Sequence, residues 1–102
     1  MYSARDRVEQ EEWLVEIERA ADSLDLGADA RSTAEDLFLS NVPESERSKP
    51  AVAAAALYAG ALLAGEERSQ TNVADAMDVS RLSVQQRWKP ILESAGFRPP
   101  SW

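Results

Sequence analysis

Apolar positions recur along this chain every three to four residues and nowhere sustain the alternation of a strand, so the pattern predicts an all-α protein. A first helix over residues 8–24 carries Trp13, Leu14, Ile17, Ala20, Ala21 and Leu24 on one face and glutamates on the other. Leu26–Gly27 ends it, and Asp29 is placed to cap a second helix over residues 30–41. That helix offers Ala34, Leu37 and Phe38 to a core, with Val42 following, and stops ahead of Pro43, whose ring disfavours a helical residue before it.

"VPESERS" then reads as a loop, and Ser48 as the N-cap of a third helix reaching residue 64, with Pro50 in the first turn where a missing N–H costs nothing. This helix, "AVAAAALYAGALLA", is apolar nearly all round, so other helices must surround it. Its alanines and Gly60 allow close approach, Leu57, Tyr58, Leu62 and Leu63 supply bulk, and Gly65 closes it. Ser69 or Thr71 caps a short fourth helix ending near residue 77. Ser80 caps a fifth that runs toward residue 95, with Gly96 past its end. The expected organisation is an N-terminal arm over residues 1–7, one domain over 8–96 and a tail over 97–102, "FRPPSW". Trp13 and Trp88 lie at apolar helical positions and are expected in the core; Trp102 is expected as an exposed anchor or frayed end.

Composition narrows the chemistry. Cysteine and histidine are both absent from the 102 residues, which removes thiolate and imidazole metal sites, thiol nucleophiles and the commonest neutral-pH acid–base group. With no Gly-rich phosphate loop or nucleophile motif either, no enzyme activity, cofactor or small-molecule substrate is expected. No run is long and apolar enough for a membrane span or a signal peptide, and the expected setting is cytoplasmic. The formal charge of −7 is unevenly spread: residues 1–44 hold twelve acids against four arginines, the remainder six acids against seven bases. The "EQEEW" run with Glu16 and Glu18 reads as a solvated helix face. Two lysines against nine arginines on an acidic, Ala-rich chain match a protein from a high-salt cytoplasm, an acidic mesophilic domain from a GC-rich genome being the alternative.

The stretch "QTNVADAMDVSRLSVQQRWKPIL" reads as helix, tight turn and helix. Val73, Ala74, Met77, Val79, Val84 and Trp88 are spaced to bury, which leaves Arg81, Leu82, Gln85, Gln86 and Lys89 outward. Arginine matches a guanine edge, glutamine an adenine edge and leucine a thymine methyl. Arg68 and Lys89 suit phosphates, and Ser80 completes the candidate DNA-facing set at the start of the helix. Arg87 is open to either role, outside the fold or paired with an acid within it. Asp78 stands in a turn position that needs left-handed backbone, which Asp visits more readily than most residues.

Three segments together, "ALYAGALLAGEERSQ", "VADAMDVS" and "VQQRWKPILE", resemble the second cyclin-like repeat of archaeal transcription factor B, a relative of eukaryotic general factor IIB; "LDLGADARSTAEDLF" resembles the first helices of the same repeat. The resemblance spans roughly residues 10–95. It implies a five-helix cyclin-like repeat whose C-terminal helix-turn-helix reads promoter DNA beside the TATA box, with the TATA-binding protein or other transcription machinery as partner. Two departures stand out. Gln85 occupies a position where the family usually has a base-contacting arginine, and Pro90 is expected to kink or divide the last helix. The resemblance also covers a single repeat with no zinc ribbon, which implies a regulator or accessory factor. A protein-interaction module, using the acidic first helix or a central groove without touching DNA, is the alternative.

Overall fold

The computed structural model describes residues 8–97, and among these every regular element is helical. The helices are α1 (Glu11–Ser23), α2 (Ala28–Ser40), a short 3-10 turn (Glu46–Ser48), α3 (Lys49–Leu63), α4 (Gln70–Met77) and α5 (Arg81–Ser94). The expected arm over residues 1–7, and Trp102 with the end of the tail, lie outside the described residues.

α3 is the rod on which the rest is assembled. Residues 52–61 are all buried, and α1, α2, α4, α5 and the 3-10 turn all pack against it. Gly60 explains how α2 comes so close: a Cβ at this position would fall 2.7 Å from the backbone nitrogen of Ala34 and 2.8 Å from its Cα. Ala30 and Ala34 on α2 and Ala20 and Ala21 on α1 are likewise completely buried, so the helices meet through small residues while Ile17, Phe38, Leu57, Val73, Val84, Trp88 and Leu92 fill the space between. This is the all-α, five-helix cyclin-like repeat that the apolar pattern and the resemblance imply.

The ends differ from expectation in instructive ways. The helical path from Val8 breaks at Gln10, and α1 proper begins at Glu11. It ends at Ser23, ahead of Leu26–Gly27, and Asp25 just past its C-cap Leu24 takes the left-handed region at φ 56°. There Leu26 N–H donates to the Ala21 carbonyl at 3.0 Å, and the Leu26 side chain turns into the core. α2 starts ahead of Asp29: Gly27 holds the cap position, its N–H donating to the Glu66 carboxylate at 3.0 Å, and Asp29 falls in the first turn. Ser48 makes no side-chain cap, because the 3-10 turn feeds directly into α3 and Ser48 already has helical backbone. Lys49, largely buried, instead ties the junction by donating to Glu46 at 2.6 Å. Trp13, expected in the core, sits partly buried at its margin.

Pro90 does not divide the last helix, which runs unbroken from Arg81 to Ser94. The proline lies on the exposed side, where its ring meets solvent, while Trp88, Ile91 and Leu92 pin both flanks into the core. Gly65 at φ 75° and Gly96 at φ 86° close α3 and α5 as expected.

Candidate nucleic-acid interface

α4, the turn and α5 are held in place from three sides. Ser69, rather than Thr71, caps α4 by accepting the Asn72 N–H at 3.0 Å. Asp78 takes the left-handed conformation the turn requires, at φ 57°, and Val79 N–H closes the turn onto the Ala74 carbonyl at 3.0 Å. Ser80 caps α5, accepting from Ser83 N–H at 3.1 Å. Arg19 of α1 clamps the far end of α4: its guanidinium pairs with Glu16 and donates to the Ala76 carbonyl at 2.9 Å. Below, Val73, Ala74, Met77, Val84 and Trp88 are buried as the spacing required, and Val79 is partly so. The Trp88 ring meets Tyr58 edge-on, with centroids 5.3 Å apart and planes at 70°.

Of the residues singled out in the sequence, the structure brings Arg81, Gln85 and Lys89 together in one cleft of about 270 Å³ with Gln70 and the edge of Trp88. Arg81 Nη1 donates to Gln85 Oε1 at 2.7 Å and to Gln70 Oε1 at 3.3 Å, while its Nε and Nη2 have no partner among the described residues. Lys89 Nζ stands 5.5 Å from the centre of the Trp88 ring, a cation–π geometry that turns the ammonium across the cleft. The Tyr58 hydroxyl is directed to Glu67 at 3.5 Å and hydrogen-bonds Gln70, so Gln70 links the buried aromatic pair to Arg81. Burial pushes the Tyr58 hydroxyl above its ordinary pKa; the Gln70 hydrogen bond opposes this and the nearby Glu67 reinforces it. Tyr58 therefore stays neutral and serves as a fixed post.

The other residues of the candidate set lie elsewhere. Leu82 is on the outer crest of α5, 56% exposed, and Ser80 is occupied with its cap. Gln86 falls on the opposite flank, in a second pocket with Arg87. Arg68 is engaged inside the fold: Nε donates to the Leu24 carbonyl at 3.0 Å, Nη1 to the Glu66 carbonyl at 2.9 Å and Nη2 to the Asp25 carbonyl at 3.2 Å, tying the α1–α2 turn to the α3–α4 turn. Sequence reading missed Gln70. Once Ser69 is taken as the cap, Gln70 becomes the first residue of α4.

The described residues hold no group of carboxylates arranged to take a metal ion, and no helix among them is long and apolar enough to cross a membrane. What the arrangement offers is a guanidinium, an ammonium and two carboxamides in one exposed cleft, with Gln70 on α4 and Arg81, Gln85 and Lys89 on α5. Four helices around a buried central one, the last two joined by a tight turn, define the class: a cyclin-like repeat. Within it the chain belongs to the transcription factor TFIIB repeat family, whose sequence profile matches residues 8–94. It is 31% identical over 87 residues to transcription initiation factor IIB 2 of Thermococcus kodakarensis, covering 82% of this chain and 28% of that protein. To a transcription initiation factor IIB of Haloarcula vallismortis it is 30% identical over 84 residues, covering 79% and 74%. An Archaeoglobus fulgidus transcription initiation factor IIB shares 40% identity over 53 residues, 52% of this chain and 16% of the relative. The chain thus spans about a quarter of the first of these relatives, and it is a transcription-related factor by family.

Proposed function

We propose that the chain acts in transcription as a regulator or accessory factor that contacts promoter DNA through α5, with the TATA-binding protein or another part of the initiation machinery as partner. The observation that carries the reading is the cleft of Arg81, Gln85, Lys89 and Gln70 on the exposed side of the helix-turn-helix. Helix-turn-helix units lay the second helix in the major groove with its N-terminal residues at the base edges, and Arg81, Leu82 and Gln85 occupy the first two turns of α5. Arg81, steadied by two carboxamide oxygens, keeps donors for a guanine edge; Leu82 suits a thymine methyl; Lys89 suits a phosphate. The Ser80 hydroxyl, Gln86 and the guanidinium of Arg68 belong to the periphery of this reading, as cap, far flank and internal tie respectively. A protein-interaction role for α1 is the second reading, supported by Val8 and Val15, which stand 70% and 57% exposed among Glu9, Glu11, Glu12 and Glu16.

Fluorescence anisotropy of a labelled TATA-containing promoter duplex over a KCl series, with and without TATA-binding protein, separates the two. The expected result is binding that Arg81→Ala/Lys89→Ala weakens by about tenfold or more, with a shallower salt dependence once the lysine is gone. A duplex that binds equally well after the double substitution, or never binds under any condition, removes the DNA reading.

A further inference from the structure

On the flank of α5 turned away from the Arg81 cleft, a pocket of about 310 Å³ opens between the end of α2, the first turns of α3 and the middle of α5. Its floor is aliphatic: Val52 and Ile91, both core residues, are exposed there by only 6% and 5%. Two walls are prolines, Pro43 and Pro90, rigid and without N–H donors. Asn41 contributes a wall rather than a ligand, since its Nδ2 donates to the Leu37 carbonyl at 2.7 Å and its Oδ1 accepts from Ser94 at 3.0 Å.

The polar character is concentrated in two neighbours, Gln86 and Arg87. Arg19, Arg31 and Arg68 all bond acids or carbonyls, whereas Arg87, half-buried, makes no hydrogen bond or ion pair with any described residue. In a chain with seven more acids than bases, that leaves a partly desolvated guanidinium without a carboxylate partner among the described residues. Pro90 also deprives the Gln86 carbonyl of its helical donor, leaving an acceptor beside the guanidinium.

The geometry points to a docking site for a short peptide segment of a protein partner, one that lays an aliphatic or aromatic side chain on Val52 and Ile91 and presents an adjacent Asp or Glu carboxylate to Arg87. Charge complementarity selects the acid, because Arg87 is the single charged residue lining the pocket among the described residues. The aliphatic floor selects a side chain over a bare phosphate, which would leave it wet. Gln86 and its carbonyl supply a donor and an acceptor for the peptide backbone. The site lies on the flank opposite the Arg81 cleft and does not depend on the DNA reading.

The test uses a library of short peptides in which an apolar residue precedes Asp, and a matched library with Asn in its place, selected on the whole chain. Support requires binders enriched from the Asp library that lose about tenfold or more in affinity for Arg87→Glu, keep part of it for Arg87→Lys, and shift the amide resonances of Val52, Gln86 and Ile91. Circular dichroism of each variant establishes that it is folded. Equal enrichment from both libraries, no enrichment from either, or shifts confined to α1 or to the Arg81 cleft overturn the proposal. So does an Arg87→Glu variant that loses promoter binding while every peptide affinity stands, since that marks Arg87 as a phosphate contact. Loss of duplex binding in Arg81→Ala/Lys89→Ala with peptide binding retained shows the two sites to be separate.

Discussion

Gly60 is where the packing depends on a single missing atom. Inside a helix, alanine is favoured over glycine by about 1 kcal/mol, so propensity alone predicts that Gly60→Ala stabilises α3. The added Cβ, however, would meet backbone atoms of Ala34 at under 3 Å, and a helix backbone does not step aside as a flexible side chain does. The clash outweighs the gain, and Gly60→Ala is expected to destabilise the protein by about 1–3 kcal/mol, read as a lower urea midpoint; a midpoint that rises would mean α2 slides freely over α3. Gly60 was legible in the sequence because a lone glycine in an alanine-rich helix has few other uses. Arg68 shows the opposite case. Position 68 carries one charge whether the guanidinium meets a phosphate or carbonyls of a distant turn, and only the fold brings Leu24 and Asp25 within its reach. Gln70 was missed for a related reason: a polar residue at a helix start has no signal of its own until Tyr58 and Arg81 are seen on either side of it.

α5 is the element in which local preference and tertiary packing disagree. Pro90 lacks the N–H that would reach the Gln86 carbonyl, and a proline in a helix interior costs about 3 kcal/mol relative to alanine. The helix nevertheless continues, since Trp88 before the proline and Ile91 and Leu92 after it are all buried against α3 and its neighbours. Pro90→Ala restores the donor and removes a ring from the exposed side, at the expense of about 0.4–1 kcal/mol from a freer unfolded chain. A net gain of about 2 kcal/mol in unfolding free energy is expected, with an unchanged denaturant slope. An unchanged or lower stability would mean that the packing of α5 relies on a bend at the proline. Periodicity revealed all five helices and the buried third one, because burial on one face or all faces is written directly in residue spacing. It misjudged ends where the cap comes from outside the segment: Glu66 caps Gly27 from a distant loop, and the 3-10 turn before α3 makes a Ser48 cap unnecessary. Asp78, Gly65 and Gly96 were readable because left-handed backbone restricts which residues serve there.

At the scale of the whole molecule, acids and bases are divided by element. α1 and α2 belong to the acid-rich first part of the chain; α5 carries Arg81, Arg87 and Lys89 against Glu93 alone. α1 packs on α2, α3 and α4, while α5 packs on α2, α3 and α4 from its own side, so the net charge of −7 says little about the field at the Arg81 cleft. The same division makes α1 self-repelling. Glu16 is matched by Arg19, and Glu18 and Asp22 share Arg31, but Glu11 and Glu12 remain exposed without an ion pair among the described residues. Raising ionic strength from about 0.1 M to about 1 M shortens the screening length from about 10 Å to about 3 Å, which weakens repulsion spread over the helix more than contacts at hydrogen-bond distance. Thermal midpoint is therefore expected to rise with KCl over this range. DNA affinity should run the other way, falling with KCl as counterion release loses its advantage. Opposite slopes in one KCl series would show that the two charge populations act separately; a midpoint that falls with salt would mean that the ion pairs of Arg19 and Arg31 outweigh the unpaired acids.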